Sequence, residues 1–163
     1  DLTVGPPAGG TSALAERVGR AFEAASVVAP VADDMPARLV EKLAVNAGIN
    51  ATTALARLEN GAVLGGDAGA LAGAAARETA AVARAEGIDL SDRAAERALE
   101  SVAADTAANT SSMHQDVLAE RRTEVDAING YVADRADELG VDAPVNRTLA
   151  RLLRAWEAGR GLR

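Results

Sequence analysis

Lys42, Asn46 and Asn50 stand four residues apart in a stretch that reads EKLAVNAGIN over 41–50. On an α-helix this spacing drifts by about 40° per step over about 12 Å of axis, so the three share one face. Their neighbours Leu39, Val40, Leu43, Ala44, Val45, Ala47 and Ile49 make the other sides apolar, and the helix is expected to be buried. A polar stripe on such a helix must meet water, a ligand or a satisfied network, because an unpaired buried polar group costs about 1–3 kcal/mol. Lys42 is also the only lysine beside sixteen arginines. Arginine keeps its proton near neutral pH whereas lysine can release one, which points to proton transfer. The rival reading is an ordinary surface ammonium, retained by chance, beside two surface amides.

A second polar cluster, NTSSMHQDVLAERRTEVDAING, covers 109–130. In an unbroken helix Ser112 and Glu124 would lie about 18 Å apart, too far to touch one small ligand, so a break is expected between them. Thr123 followed by Asp126 resembles a capping box that would restart the helix there. Glu124 would then sit in the first turn, where the macrodipole favours an ionised carboxylate. Taken alone, Ser112 reads as a helix cap with Gln115 and Glu124 as a solvated acid. His114, with no paired acid or second ligand, reads as a helix-surface histidine.

The elements that must position these groups are mostly helical. Leu2–Val4, the turn GPPAGG, a helix over Ser12–Ala25 with Leu14, Val18 and Phe22 on one face, and the apolar run Ser26–Val31 read as strand, helix, strand. Asp34 is expected to cap a helix with Pro36 in its first turn, ending near Arg57 and bent near Gly48. Further helices are expected over Asp67–Glu86, with Asp67 as cap, Gly87 as stop and Leu71 and Val82 on the apolar face, and from Ser91 to about Ala108. Ser112 to Leu139, stopped by Gly140, and Pro144 to about Ala158, with Leu149, Leu152, Leu153 and Trp156 on one face, complete the series.

Composition narrows the function. Hydrophobic residues make up 48% of the 163, enough for one core, while Phe, Tyr and Trp occur once each, which suits packed helices better than sheet. The absence of cysteine excludes disulfides and thiolate metal sites, and one histidine leaves little for imidazole ligation, so no metal is expected. The net charge of −7 is dispersed and the arginines form no dense stripe, which argues against nucleic acid. No apolar run approaches the ~20 residues of a membrane span and no leader pattern opens the sequence, so the expected location is cytoplasmic. A start at Asp1 suggests a fragment of a longer protein.

KLAVNAGIN, ENG at 59–61, NTSSMHQD and RRTEVDAING, in that order, resemble the C-terminal helical domain of ketopantoate reductase (2-dehydropantoate 2-reductase), the NADPH-dependent enzyme of the pathway to pantothenate and coenzyme A. The likeness covers roughly 34–160. It implies a helical bundle of the 6-phosphogluconate dehydrogenase-like type over 34–163, with 1–33 as the last strand–helix–strand of a Rossmann-like nucleotide-binding domain. On matching positions it implies Lys42 as general acid at the ketone oxygen and Asn46, Asn50 and Asn60 as groups that hold the substrate and orient the lysine. Asn109 and Ser112 would contact the substrate, Ser112 at its carboxylate, and Glu124 would accept from its hydroxyl.

His114 and Ala51 stand where many members have Leu and Pro. The family's G-x-G-x-x-G fingerprint is absent from these residues, and in GPPAGG the spacing is wrong and Pro6 and Pro7 lack amide donors. NADPH is therefore expected to be held mainly by a domain outside this chain, which alone should be inactive. The expected partner is a small 2-oxo acid, and a homodimer could form through the helical domain. The alternatives are a paralogous reductase of another 2-oxo acid and a non-catalytic helical interaction module.

Overall fold

The computed structural model describes residues 2–163. They form helices α1 (Ala13–Ala24), α2 (Met35–Ala56), α3 (Gly66–Ala85), α4 (Asp92–Asp105), α5 (Ser112–Leu118), α6 (Tyr131–Leu139) and α7 (Pro144–Ala158). A 3₁₀ turn, Asn60–Leu64, precedes α3, and a π-helical turn, Asp126–Gly130, leads into α6. Two compact units divide inside α2, one reaching Leu39 and one running from Val40 to Arg163.

The first unit corrects the expected strand–helix–strand. Its extended segments meet at one isolated parallel bridge, Val4 to Val31, and no strand forms among the described residues. Val4 N–H donates to Pro30 O and Ala32 N–H to Val4 O, at 3.0 and 2.8 Å. Pro6, Pro7 and Pro30 have no N–H, so the ladder cannot lengthen. GPPAGG is a turn in which Gly9 N–H donates to Pro6 O and Gly10 N–H to Asp33 O. The helix forms where expected, with Ser12 Oγ accepting from Ala15 N–H, but its buried side runs through Ala15 and Gly19 with Val18 and Phe22 half-buried, and Leu14 is exposed.

In the second unit α2 is the central element. One face packs Ala44, Val45 and Ile49 against Val63, against Ala72, Ala76 and Ala80 of α3 and against Ala95 and Leu99 of α4. The other packs Ala47, Ala51 and Ala54 against Met113 and Val117 of α5 and Leu149 and Leu153 of α7. Small side chains on α2 and α3 let the helix axes approach closely, so packing density replaces bulky aromatics. Gly48 is part of this fit: α2 continues through it, and a Cβ there would lie 2.7 Å from Ala72 O and collide with Leu99.

Other boundaries differ in detail. Gly65, extended, precedes α3, and Asp67 lies in its first turn without capping it. Gly87 and Gly140 end α3 and α6 in the left-handed region, φ 82° and 68°, where glycine carries no Cβ penalty. Leu71 and Leu152 are exposed, because the buried stripes of α3 and α7 run through Ala72, Ala76 and Val82 and through Leu149, Ala150 and Leu153. The expected break occurs between Leu118 and Asp126, but Thr123 and Asp126 form no capping box, since the Asp126 carboxylate accepts from Arg122, Arg154 and Arg163.

Candidate active site

The stripe on α2 descends from surface to core: Lys42 is exposed, Asn46 half-buried and Asn50 only 7% exposed. The expectation of a buried Lys42 is thereby corrected. Full burial starts at Ala44, while Val40 and Leu43 before it are half-buried against the core and Lys42 lies on the side turned away from it. Every ion pair recorded among the described residues is made by arginine, including the two-bond pair of Arg147 with Asp137. Lys42 makes none and donates no hydrogen bond within those residues. Arginine's planar fork suits structural pairing, although Arg17, Arg57, Arg93 and Arg97 also stand outside these ion pairs, so the unpaired state is not peculiar to the lysine.

Two segments are tied to α2 beside this stripe. Thr53 Oγ1, one turn beyond Asn50, lies 2.7 Å from Ser111 Oγ at the start of α5, which puts Ser112 in the first turn of that helix. The peptide N–H of Asn60 donates to Asn109 O at 3.0 Å, and the Asn60 Nδ2 donates to Thr106 Oγ1 at 3.0 Å. The segment 106–112, on which Asn109 and Ser112 are exposed, is thus tied to Asn60 and to Thr53, one turn beyond Asn50. The second segment reaches α2 through Asn129, whose Nδ2 donates to Ala47 O at 2.9 Å. Glu124 lies five residues before it, exposed, in the turn that precedes the π-helical residues. No hydrogen bond joins Lys42 or Glu124 to the other candidates among the described residues.

The polar residues of this region fall into two groups. Ser111, Thr53, Thr123, Asn129, Asn146 and Glu157 are buried and bonded within the protein. The side chains of Lys42, Asn46, Asn50, Asn109, Ser112 and Glu124 form no hydrogen bond among the described residues, and Asn60 Oδ1 is buried without one. Buried or half-buried amides with uncommitted donors and acceptors can serve a polar ligand, since such groups are ordinarily paired. The chemistry on offer is one titratable ammonium, several neutral amides, a hydroxyl and a carboxylate. A cavity of about 530 Å³ in the first unit, lined by Arg20, Ser26, Val28 and Val31 among others, contains none of them.

The family model described as Ketopantoate reductase PanE/ApbA C terminal matches residues 34–157. The chain belongs to that family. The 2-dehydropantoate 2-reductase of Halobacterium salinarum is 40% identical over 155 residues, 94% of this chain and 51% of that protein. The chain spans about half the length of the curated relatives it matches. A ketopantoate reductase of this family from Ralstonia eutropha superposes with TM-score 0.85 at 31% identity, over 98% of this chain and 52% of the other. D-mandelate dehydrogenase, solved with NADH and anilino(oxo)acetate, superposes with TM-score 0.86 at 24% identity, over 94% of this chain and 51% of the other, a likeness of fold alone.

Within this ketopantoate reductase C-terminal domain the sequence reading missed several residues. Ser111, not Ser112, caps α5, accepting from His114 N–H at 3.2 Å. His114 is not a surface residue: it is 6% exposed, its Nδ1 lies 3.1 Å from Leu58 O, and its Nε2 is buried without a partner. Burial follows from its place between Met113 and Val117 on the inward side of α5. The helical spacing of Met113, His114 and Val117 was the available signal. Asn129 and Asn146 gave none, because the π-helical turn that aims Asn129 inward breaks the 3.6-residue period.

Proposed function

We propose that this chain is the substrate and proton-donor half of a 2-dehydropantoate 2-reductase, which reduces ketopantoate to pantoate with NADPH. The observation that carries the reading is the uncommitted stripe Lys42, Asn46, Asn50, graded from surface to core on one helix. Reduction of a 2-oxo acid turns the carbonyl oxygen into an alkoxide that needs a proton, and Lys42 supplies it. Asn46, Asn50 and Asn60 orient substrate and lysine through neutral hydrogen bonds, which stabilise the developing oxyanion without reorganising. Asn109 and Ser112 hold the carboxylate end, Ser112 by its hydroxyl, and Glu124 accepts from the distal hydroxyl.

The residues present do not make a dinucleotide cradle. In the GPPAGG turn Pro6 and Pro7 carry no N–H, and the amides of Gly9 and Gly10 are spent on Pro6 O and Asp33 O, leaving no row of donors for a pyrophosphate. NADPH is assigned to a separate nucleotide-binding half, with residues 1–33 adjoining it and 34–163 forming the substrate half. The matching relatives' length, about twice that of this chain, supports the division. No helix among the described residues is long and apolar enough to cross a membrane.

The test compares ketopantoate-dependent NADPH oxidation by this chain alone and by a two-domain reductase carrying it as the C-terminal half. Turnover by the pair and none by the chain supports the reading. Turnover by the chain alone refutes the partition, and activity of the pair on other 2-oxo acids but not ketopantoate makes it a paralogous reductase.

A further inference from the structure

The turn that carries Glu124 is held at both ends by α7. Thr123 N–H and Thr123 Oγ1–H both donate to Glu157 Oε1, at 2.8 and 2.6 Å, and Asp126 Oδ1 accepts from Arg154 Nε at 2.7 Å. Residues 154 and 157, one helical turn apart, therefore grip residues 126 and 123. Between the grips Val125 is wholly buried and its N–H donates to Thr123 Oγ1. With Thr123 and Val125 both buried, Glu124 is the one residue of 123–125 turned outward.

Glu157 is an expensive way to hold a turn. It is 0% exposed, and its Oε2 meets the Arg163 guanidinium as an ion pair without a well-aligned hydrogen bond. A buried carboxylate is costly to desolvate, and a neutral side chain could have anchored one threonine at lower cost. What the charge adds is two short charge-assisted bonds converging on one oxygen, which fix the backbone and the side chain of Thr123 together.

We propose that Glu157 is a positioning residue that sets Glu124 for the substrate's distal hydroxyl, acting through Thr123, so that the hydroxyl preference of the site is set from α7. The inference rests on the role given to Glu124 above. It assigns to Glu157 no contact with substrate. A displaced acceptor still leaves the 2-oxo acid end of the ligand in place, so the loss falls on discrimination.

The experiment uses the two-domain reductase and two substrates, ketopantoate and trimethylpyruvate, in which CH3 replaces CH2OH. The readout is the ratio of their kcat/KM values, with Tm followed in parallel. Glu157→Gln and Thr123→Val should each lower the ratio on the order of tenfold, mainly through KM for ketopantoate, the scale of one hydrogen bond to a charged group. Thr123→Ser, which keeps the hydroxyl donor, should restore it. Combining Thr123→Val with Glu124→Gln should lower the ratio no further than Glu124→Gln alone. If Glu157→Gln does not fold, the Thr123 pair carries the test. A fall in Tm with the ratio intact in Thr123→Val overturns the inference while Glu124→Gln still lowers the ratio. A ratio indifferent to Glu124→Gln overturns the reading of Glu124 itself.

Discussion

The hydroxyls of Thr53 and Ser111 lie 2.7 Å apart in the core and join the last turn of α2 to the N-cap of α5. Thr53 Oγ1 donates to Ile49 O at 2.8 Å and Ser111 Oγ accepts from His114 N–H at 3.2 Å. Each hydroxyl has one proton, so Ser111 must be the donor to Thr53. The result is a directed chain from the α5 backbone to the α2 backbone, in which each bond polarises the next. Ser111→Ala removes the cap of α5 and leaves Thr53 short of a donor, and should destabilise the chain by about 1–2 kcal/mol in urea unfolding.

Gly48 is a packing site rather than a hinge. A Cβ would lie 2.7 Å from Ala72 O, backbone that cannot step aside, and would collide with Leu99. Gly48→Ala should therefore lower stability by about 1–3 kcal/mol despite alanine's better helix propensity. Unchanged or increased stability would show that α2 and α3 can separate at this point.

Asp126 gives the chain a defined acid response. Burial pushes its carboxyl up, but hydrogen bonds from Arg154, Arg163 and Arg122 together outweigh that and hold it down at about 2. A pKa below the unfolded value means stability that is fully present above the ordinary carboxylate range and is lost as pH falls through about 4 toward about 2. Asp126→Asn should flatten the dependence of Tm on pH in that window and lower Tm at neutral pH. A wild-type Tm that does not fall across that window, beyond the loss seen in Asp126→Asn, would contradict the arrangement.

What could be read from the sequence follows from how local each cause is. Ser12, Ser91, Gly87, Gly140 and Pro144 mark helix ends because caps and stops act within one turn, and each stands where the structure uses it. The polar stripe on α2 was visible for the same reason. Its exposure gradient was not, since that depends on which elements lie over the first turns. His114 is misread when it is weighed as a lone imidazole, because its burial follows from the apolar side of α5 that Met113 and Val117 mark. Ser111 and Ser112 are indistinguishable until the first turn of α5 is fixed. The bridge at Val4 and Val31 failed to grow because strand pairing needs partners that apolar runs alone do not supply.

Lys42 carries the central claim. It is exposed and makes no ion pair or hydrogen bond among the described residues, so replacing it should leave folding alone. The direct measurement is kcat for ketopantoate reduction by the two-domain reductase with Lys42→Arg and Lys42→Ala, with Tm recorded for each. Both substitutions should lower kcat by roughly 10²–10⁴ at unchanged Tm, the range of a lost general acid. Turnover by Lys42→Arg equal to that of the unsubstituted enzyme would contradict it, because a group that cannot release its proton would then serve as well as one that can.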